Sequence, residues 1–148
     1  MERTVETLEQ ELKSEHNLYL RALADFDNFR RRVDRERANL GKESLRNFLV
    51  PLLDVIDDLE RSLKAAETEK SSVVDGVRAV RDKFLRVLDS QGVRPFQSVG
   101  QPFDPSQHEA VGTAPADGHP QNTVVQEIQR GYRWGDDLLR SARVVVGT

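Results

Sequence analysis

Residues 5–40 read VETLEQELKSEHNLYLRALADFDNFRRRVDRERANL, and the spacing of the apolar residues in this stretch decides the fold. Apolar side chains recur at alternating steps of three and four, which is the heptad pattern of a coiled coil. The a positions are apolar throughout: Val5, Leu12, Tyr19, Phe26, Val33 and Leu40. The d positions are less uniform and read Leu8, Glu15, Ala22, Phe29 and Glu36. Because two glutamates weaken this seam, the pattern predicts a loose two-stranded coil.

A second apolar seam begins after the phase shifts between Leu40 and Leu45. Its members are Leu45, Leu49, Leu52, Ile56, Leu59 and Leu63, flanked by Phe48, Leu53 and Val55. This stripe is too wide for a single partner helix to cover, which predicts entry into a helical bundle. Pro51 removes one backbone donor and predicts a bend, with helix on both sides. We therefore expect one long helix over about residues 3–64.

A second helix is predicted over about residues 73–90, after a polar loop at 67–72. Gly92 follows this helix at the position where a left-handed C-terminal cap is favoured. Two amphipathic helices make half of a stable bundle, so the simplest closed arrangement is a homodimer that contributes four helices. The residues predicted to form the dimer contact are Leu45, Leu49, Leu52, Ile56, Leu59, Leu63, Val77, Val80, Phe84 and Val87.

The segment from Gly92 onward has a different character, because five of the six prolines and seven of the nine glycines lie there. Helical spacing disappears, and three strands are predicted at residues 109–113, 123–133 and 138–146. Gly135-Asp136 is a turn signal between the last two strands and predicts a hairpin. Alternation from Val124 to Tyr132 predicts a sheet with one buried face.

The predicted fold class is therefore α+β, with a long N-terminal coiled-coil helix, a dimeric four-helix bundle and a small C-terminal β-domain. Residues 1–91 are expected to form the stalk and bundle, and residues 92–148 the β-rich head. The chain starts without an apolar signal region, and no stretch approaches the roughly 20 apolar residues that cross a bilayer. We expect a cytoplasmic protein that does not bind membranes.

The composition disfavours most kinds of catalysis. The net charge of −3 gives no general attraction to nucleic acids or anionic membranes. Cysteine is absent, which excludes thiolate metal sites and thiol nucleophiles. His16, His108 and His119 lie far apart without metal-ligand spacing, and no phosphate-binding glycine loop is present. We predict a protein that is not an enzyme and that has no cofactor, metal or small-molecule substrate.

Four groups of polar or aromatic residues are candidate functional residues, and two of them allow more than one interpretation. The run Arg30-Arg31-Arg32 could be a solvated helix face or a protein-docking patch, while interrupting acids and seam residues disfavour DNA binding. Trp134, at the predicted hairpin turn, is expected to be exposed and is either a peripheral core residue or a binding anchor. His108 follows a turn and is expected to make local hydrogen bonds. The carboxylates at positions 54, 57, 58 and 60 are expected to stay in water.

Several motifs resemble the GrpE family, the nucleotide exchange factors of DnaK-type heat-shock chaperones. Residues 27–32 (DNFRRR) and 55–63 (VIDDLERSL) are similar to two helical motifs of that family. The β-rich segment is more specific, with residues 103–111 (FDPSQHEAV) followed by Gly131-Tyr132, Leu139-Arg140 and Val144-Val145-Val146.

The resemblance implies a parallel homodimer whose β-domain binds the ATPase domain of the chaperone, opens the nucleotide cleft and releases ADP. By similarity, the chaperone-binding residues are Arg30, Asn39, Arg61, Phe103, Trp134, Asp137 and Val146. Two positions depart from the family pattern: Asp54 replaces a proline before the Val-Ile-Asp motif, and Asp137 stands where many members carry arginine. The alternative is a coiled-coil adaptor or scaffold dimer that presents its β-domain to another protein.

Overall fold

The structure is a computed structural model that describes the chain from residue 2 to residue 148, with side chains from residue 4 onward. Two helices come first: α1 spans Glu2–Ala65 and α2 spans Ser72–Ser90. Helix α1 lies on both sides of Pro51, as predicted, and the bend expected there stays a prediction. Helix α2 begins after Ser71, whose hydroxyl accepts a hydrogen bond from the Val73 N–H, and Gly92 follows its end with a φ of 80°.

Six strands follow the helices, with bounds Val93–Pro95 (β1), His108–Ala114 (β2), Val124–Gln129 (β3), Tyr132–Trp134 (β4), Asp137–Arg140 (β5) and Ala142–Gly147 (β6). They form two small sheets. In the first sheet β4 lies between β1 and β5, and both pairs are antiparallel. In the second sheet β6 lies between β2 and β3, parallel to β2 and antiparallel to β3. The long N-terminal helix, second helix and C-terminal β-domain confirm the predicted α+β class.

The two longer predicted strands are each divided in the structure. The predicted strand 123–133 breaks at Arg130-Gly131, and the predicted strand 138–146 breaks at Ser141, so the chain crosses between the sheets at both points. Only glycine fits at the first break, because a side chain at position 131 would collide with the Phe96 ring and the Ala142 nitrogen. The hairpin is as predicted, since Trp134 pairs with Asp137 across Gly135-Asp136.

The predicted alternation along residues 124–132 is wrong in its middle part. Val124 and Tyr132 are fully buried, but Ile128 between them is 52% exposed. Register shifts at Val124/Gln126 and at Glu127/Gln129 interrupt the pairing of β3 with β6. The irregularity after Val124 changes which face a side chain points to, so the alternation continues over residues 125–129 with the opposite phase to the predicted one.

The chain divides into two compact units, Met1–Leu45 and Arg46–Thr148. Residues 2–45 of the first unit are helix, and among residues 4–45 none is buried. The second unit contains the rest of α1, helix α2 and all six strands. The predicted division into a stalk and bundle (residues 1–91) and a β-domain (residues 92–148) is a division by function, and it stays a prediction. None of the helices in the described chain is long and apolar enough to cross a membrane.

Both hydrophobic cores lie in the second unit. The larger core joins α1, α2 and the first sheet, and it comprises Leu49, Leu53, Ile56, Leu88, Val93, Tyr132 and Leu139, with Phe84, Leu85 and Trp134 packed at its edge. The smaller core lies on the second sheet and comprises Val124, Ala142, Val144 and Val146, with Phe96 and Phe103 at its edge. The β-domain therefore packs directly on the C-terminal part of α1.

Candidate partner-binding surface

An ion pair between α1 and β5 joins two chain segments that are 83 residues apart. Arg140 donates two parallel hydrogen bonds to the Asp57 carboxylate, from Nη1 to Oδ2 at 2.8 Å and from Nη2 to Oδ1 at 3.0 Å. The side chains of Arg140 and Asp57 are only 11% and 14% exposed. Such a two-bond, largely desolvated pair has a defined geometry that a single point contact lacks.

The Arg140 guanidinium also contacts the Arg130 carbonyl oxygen and the face of the Tyr132 ring. Its Nε and Nη2 donate to the Arg130 carbonyl oxygen at 3.1 and 2.6 Å. Its plane also lies over the Tyr132 ring, with the Arg140 Cζ 5.4 Å from the ring centre. Arg140 is therefore fixed by α1, by the Arg130-Gly131 crossing and by β4 at once.

Further polar contacts connect α1 with the β-domain, and one of them also involves Arg140, whose Nη1 reaches Asp54 Oδ1 at 3.4 Å. Arg46 Nη1 donates to the carbonyl oxygens of Leu138 and Leu139, at 2.7 and 3.2 Å. Arg130 bonds the Glu60 carboxylate at 3.0 Å. The remaining contact is a hydrogen bond from the Gln129 amide to Asp57 Oδ2 at 3.1 Å.

These contacts correct the expectation that the acids on this part of α1 stay in water. Asp57 and Glu60 are mostly buried against the β-domain, whereas Asp54 and Asp58 are exposed. The reason is that Asp57 and Glu60 lie on the same side of α1 as the core residue Ile56, while Asp58 lies on another side. Asp54 lies at the margin of this contact, where its exposed carboxylate still reaches Arg140 at 3.4 Å. Periodicity alone could not identify these acids, because their partners come from distant strands.

Tyr132 is the largest side chain that is completely buried in this region. Its hydroxyl has no hydrogen-bond partner. Burial, reinforced by the negative charge of Glu60, raises the pKa of Tyr132 to about 12. The ring serves as an apolar platform beneath Arg140, and the hydroxyl stays neutral at physiological pH.

The turn before β2 is organised around His108, as expected from its local sequence. The buried imidazole accepts a hydrogen bond at Nδ1 from the Asp104 N–H at 3.0 Å, and the His108 N–H donates to the Asp104 carbonyl at 2.8 Å. Desolvation lowers the pKa of His108, partly offset by the charges of Asp104 and Glu127. Hydrogen bonds from the Ser106 hydroxyl and N–H lower the pKa of Asp104. In the described residues no cluster of three or more His, Asp or Glu side chains could hold a metal ion.

The sequence model of the GrpE family matches residues 1–148 of this chain. Proteins named GrpE are 47% identical to it in Thermus thermophilus over 129 residues, 38% identical in Legionella pneumophila over 149 residues and 35% identical in a Synechococcus strain over 149 residues. These alignments cover 87%, 100% and 99% of this chain, and 71%, 75% and 63% of the respective relatives. The chain belongs to the GrpE family. GrpE proteins are nucleotide exchange co-chaperones of DnaK, and exchange of this kind is a binding function rather than catalysis.

The residues that the GrpE resemblance assigns to the chaperone contact occur in both units. Arg30 and Asn39 lie exposed in the first unit, where Arg30 pairs with Asp27 at 3.6 Å. Arg61 lies exposed on the part of α1 that belongs to the second unit and pairs with Asp58 at 3.1 Å.

The other four assigned residues lie in the β-domain of this GrpE chain, and their accessibility differs. Asp137 is exposed at the start of β5, and Phe103 is half-buried at the edge of the smaller core. Trp134 is also half-buried and packs against the larger core, so its expected exposure is only partial. Val146 is buried within the smaller core and offers little side-chain surface to a partner.

The residues that the sequence predicts to form a dimer contact divide into two sets. Leu49, Ile56 and Leu63 are buried within the single chain, and Leu52, Leu59, Val77 and Phe84 are half-buried. The others remain exposed: Leu45, Val80 and Val87. Phe48, Val55 and Val73 on the same two helices are exposed as well. One broad stripe in the sequence thus supplies both an internal core and an uncovered apolar face.

Proposed function

We propose that two copies of this chain pair through their helices and that the dimer binds the ATPase domain of a DnaK-type chaperone. Residues 1–91 would supply the dimer contacts and residues 92–148 the β-domain that engages the chaperone. Large apolar side chains that a single chain leaves in water support the pairing. In the first unit these include the seam residues Val5, Leu8, Leu12, Tyr19, Phe26, Phe29 and Leu40, each more than half exposed.

The proposed exchange mechanism needs no reacting group. A protein that binds the open form of a nucleotide cleft more tightly than the closed form shifts the equilibrium by that difference in affinity. Opening the cleft removes contacts to ADP, so ADP leaves faster. The proposed contacts are Arg30, Asn39 and Arg61 on α1 and Phe103, Trp134, Asp137 and Val146 in the β-domain. The chaperone meets this protein in the cytoplasm under this proposal.

The test measures release of a fluorescent ADP analogue from the cognate DnaK-type chaperone, with and without this protein. We expect a large increase in the release rate, which saturates with concentration. Arg61→Ala should raise the half-saturating concentration, because it removes a proposed contact. Arg78→Ala is the matched control, since Arg78 forms a similar exposed pair with Asp75 on α2 outside the proposed contact. An unchanged release rate with the wild-type protein would contradict the proposal.

The oligomeric state is tested separately by sedimentation. A dimer should have twice the chain mass of 16.8 kDa. The adaptor alternative makes a different prediction: a stable dimer that leaves the ADP release rate unchanged and binds another protein instead.

A further inference from the structure

The proposed chaperone contacts in the second unit come from two separate parts of the chain. Arg61 lies on α1, while Trp134 and Asp137 lie on either side of the β4–β5 hairpin turn. A rigid partner can be held in one conformation only if these two parts keep a constant separation. Something in the fold must therefore set the position of β5 relative to α1.

Apolar packing alone leaves this position loosely defined. The larger core reaches β5 only through Leu139, since the residues on either side of it are less buried. The antiparallel pairing with β4 fixes β5 within the hairpin, but apolar contacts are non-directional and do not by themselves fix the orientation of the hairpin on α1.

The hydrogen bonds between α1 and β5 are directional and can fix the position of β5 relative to α1. Arg140 closes the C-terminal end of β5 onto Asp57 with two parallel bonds. Arg46, on the same helix as Asp57, donates to the carbonyl oxygens of Leu138 and Leu139. Asp57 precedes Arg61 by one helical turn, and Arg140 follows Asp137 by three residues, so the Asp57–Arg140 pair directly connects the two contact groups.

We infer that Asp57 and Arg140 are positioning residues for nucleotide exchange, which hold the β4–β5 hairpin at the fixed distance from α1 that discriminates the open form of the chaperone from its closed form. This inference rests on the proposed function. Neither residue needs to touch the chaperone. A loosened hairpin would adapt to both forms of the cleft and would bind with little preference, and exchange depends on that preference.

The inference predicts that substitutions in this pair lower the maximum ADP release rate and leave the half-saturating concentration nearly unchanged. Asp57→Asn removes the charge and one hydrogen-bond acceptor, and we expect the maximum ADP release rate to fall by about fivefold or more. The half-saturating concentration should change by less than about twofold, because the contact residues are all present. Arg140→Lys keeps the positive charge but loses the two-pronged geometry, so its maximum rate should lie between Asp57→Asn and wild type.

Two readouts separate positioning from general loss of stability. Acrylamide quenching of Trp134, the only tryptophan, should increase in both variants if the hairpin loosens. Circular dichroism at the assay temperature should show unchanged helix and strand content. Asp75→Asn is the matched control, because Asp75 forms an exposed ion pair on α2 at 3.2 Å and should leave release and quenching as in wild type.

The outcomes distinguish this inference from the proposed function. Wild-type protein that fails to accelerate ADP release would contradict the proposed function, and the inference would fall with it. Wild-type acceleration together with an unchanged maximum rate in folded Asp57→Asn and Arg140→Lys would overturn the inference alone. A raised half-saturating concentration at an unchanged maximum rate would also overturn it, because the pair would then serve binding and not discrimination.

Discussion

The two units of this chain use apolar residues in opposite ways. In residues 4–45 large apolar side chains repeat along a helix and none is buried, so this unit presents its apolar seam to the outside. In Arg46–Thr148 the same residue types form two internal cores. An α-helix of this kind has little stability without a partner, whereas the second unit carries its own core. The comparison shows that a hydrophobic period identifies a helix but does not tell whether its partner is the same chain or another copy.

The largest predicted effect concerns the core of the second unit. Ile56 is completely buried between α1 and the β-domain, and Ile56→Ala should lower the free energy of unfolding by about 2–5 kcal/mol. Denaturant titration followed by Trp134 fluorescence measures this. Leu12→Ala, at a position that is 71% exposed, is the matched control and should change the Trp134 transition by less than about 0.5 kcal/mol. Equal losses in the two variants would contradict the division into units.

The next effect concerns pairing through the first unit. Phe26 is an a-position residue that is more than half exposed in the single chain. Phe26→Ala should raise the dimer dissociation constant by at least about tenfold, since a large aromatic side chain is lost from a buried interface in both copies. Sedimentation at several concentrations measures this, and the Trp134 spectrum should stay native. An unchanged dissociation constant would show that the seam is not the dimer contact.

The positions of the helices and the hairpin could be predicted from the sequence because local signals determine them. Heptad spacing marks α1, Gly92 with its positive φ follows α2, and Gly135-Asp136 forms the turn between β4 and β5. Each of these features depends on residues within one or two turns of chain, so short-range patterns are sufficient.

Short-range patterns could not predict which residues of the apolar stripe on α1 and α2 are buried and which stay exposed. They also could not predict the polar contacts between α1 and the β-domain. Leu53 flanks the predicted seam, yet it is completely buried, because the β-domain covers its side of α1. The Asp57–Arg140 pair depends on the path of the chain through two sheets, and β-bulges in β3 shift that path. Asp57 and Arg140 both belong to motifs that resemble the GrpE family, which marked them as residues of interest. The motifs alone do not predict that the two side chains form an ion pair.

A third prediction separates the two units by temperature. Glu15 and Glu36 occupy d positions of the first seam and weaken its packing. We expect part of the helical signal at 222 nm to be lost at least about 5 °C below the loss of native Trp134 fluorescence. Replacing both glutamates with leucine should bring the two transitions together. A single cooperative transition in the unaltered protein would show that the units unfold as one.

The fourth prediction concerns pH and applies only to the second unit. The folded state lowers the pKa of His108 below its ordinary value of 6.5, so the unfolded chain binds the proton more readily. The stabilisation from neutral His108 is therefore complete above about pH 6.5 and is lost as the pH falls through the folded-state pKa, by at most about 1.4 kcal/mol per pH unit. Protonation would also place an N–H at Nδ1, opposite the Asp104 N–H.

Denaturant titrations between pH 7.5 and pH 5.5, followed by Trp134 fluorescence, test this dependence. Replacing the exposed His16 and His119 together with glutamine is the control and should retain the pH dependence. His108→Gln should flatten it, even if its stability at pH 7.5 is lower. A pH dependence that survives His108→Gln would assign the effect to other groups.

The smallest effect is expected for an exposed ion pair in the first unit. Asp27 bonds Arg31 at 3.1 Å, one helical turn apart, and both side chains are more than two-fifths exposed. Water competes for both charges, so Asp27→Asn should lower stability by less than about 1 kcal/mol, and this loss should shrink further in 1 M salt. Asp57→Asn removes the corresponding charge from a largely buried pair in the second unit, and its loss should be larger and less sensitive to salt. Thermal unfolding of both variants at low and high salt measures the difference. Equal decreases in stability with equal salt dependence in the two variants would show that burial of the Asp57–Arg140 pair has no energetic consequence. The contrast between the units would then depend on their apolar residues alone.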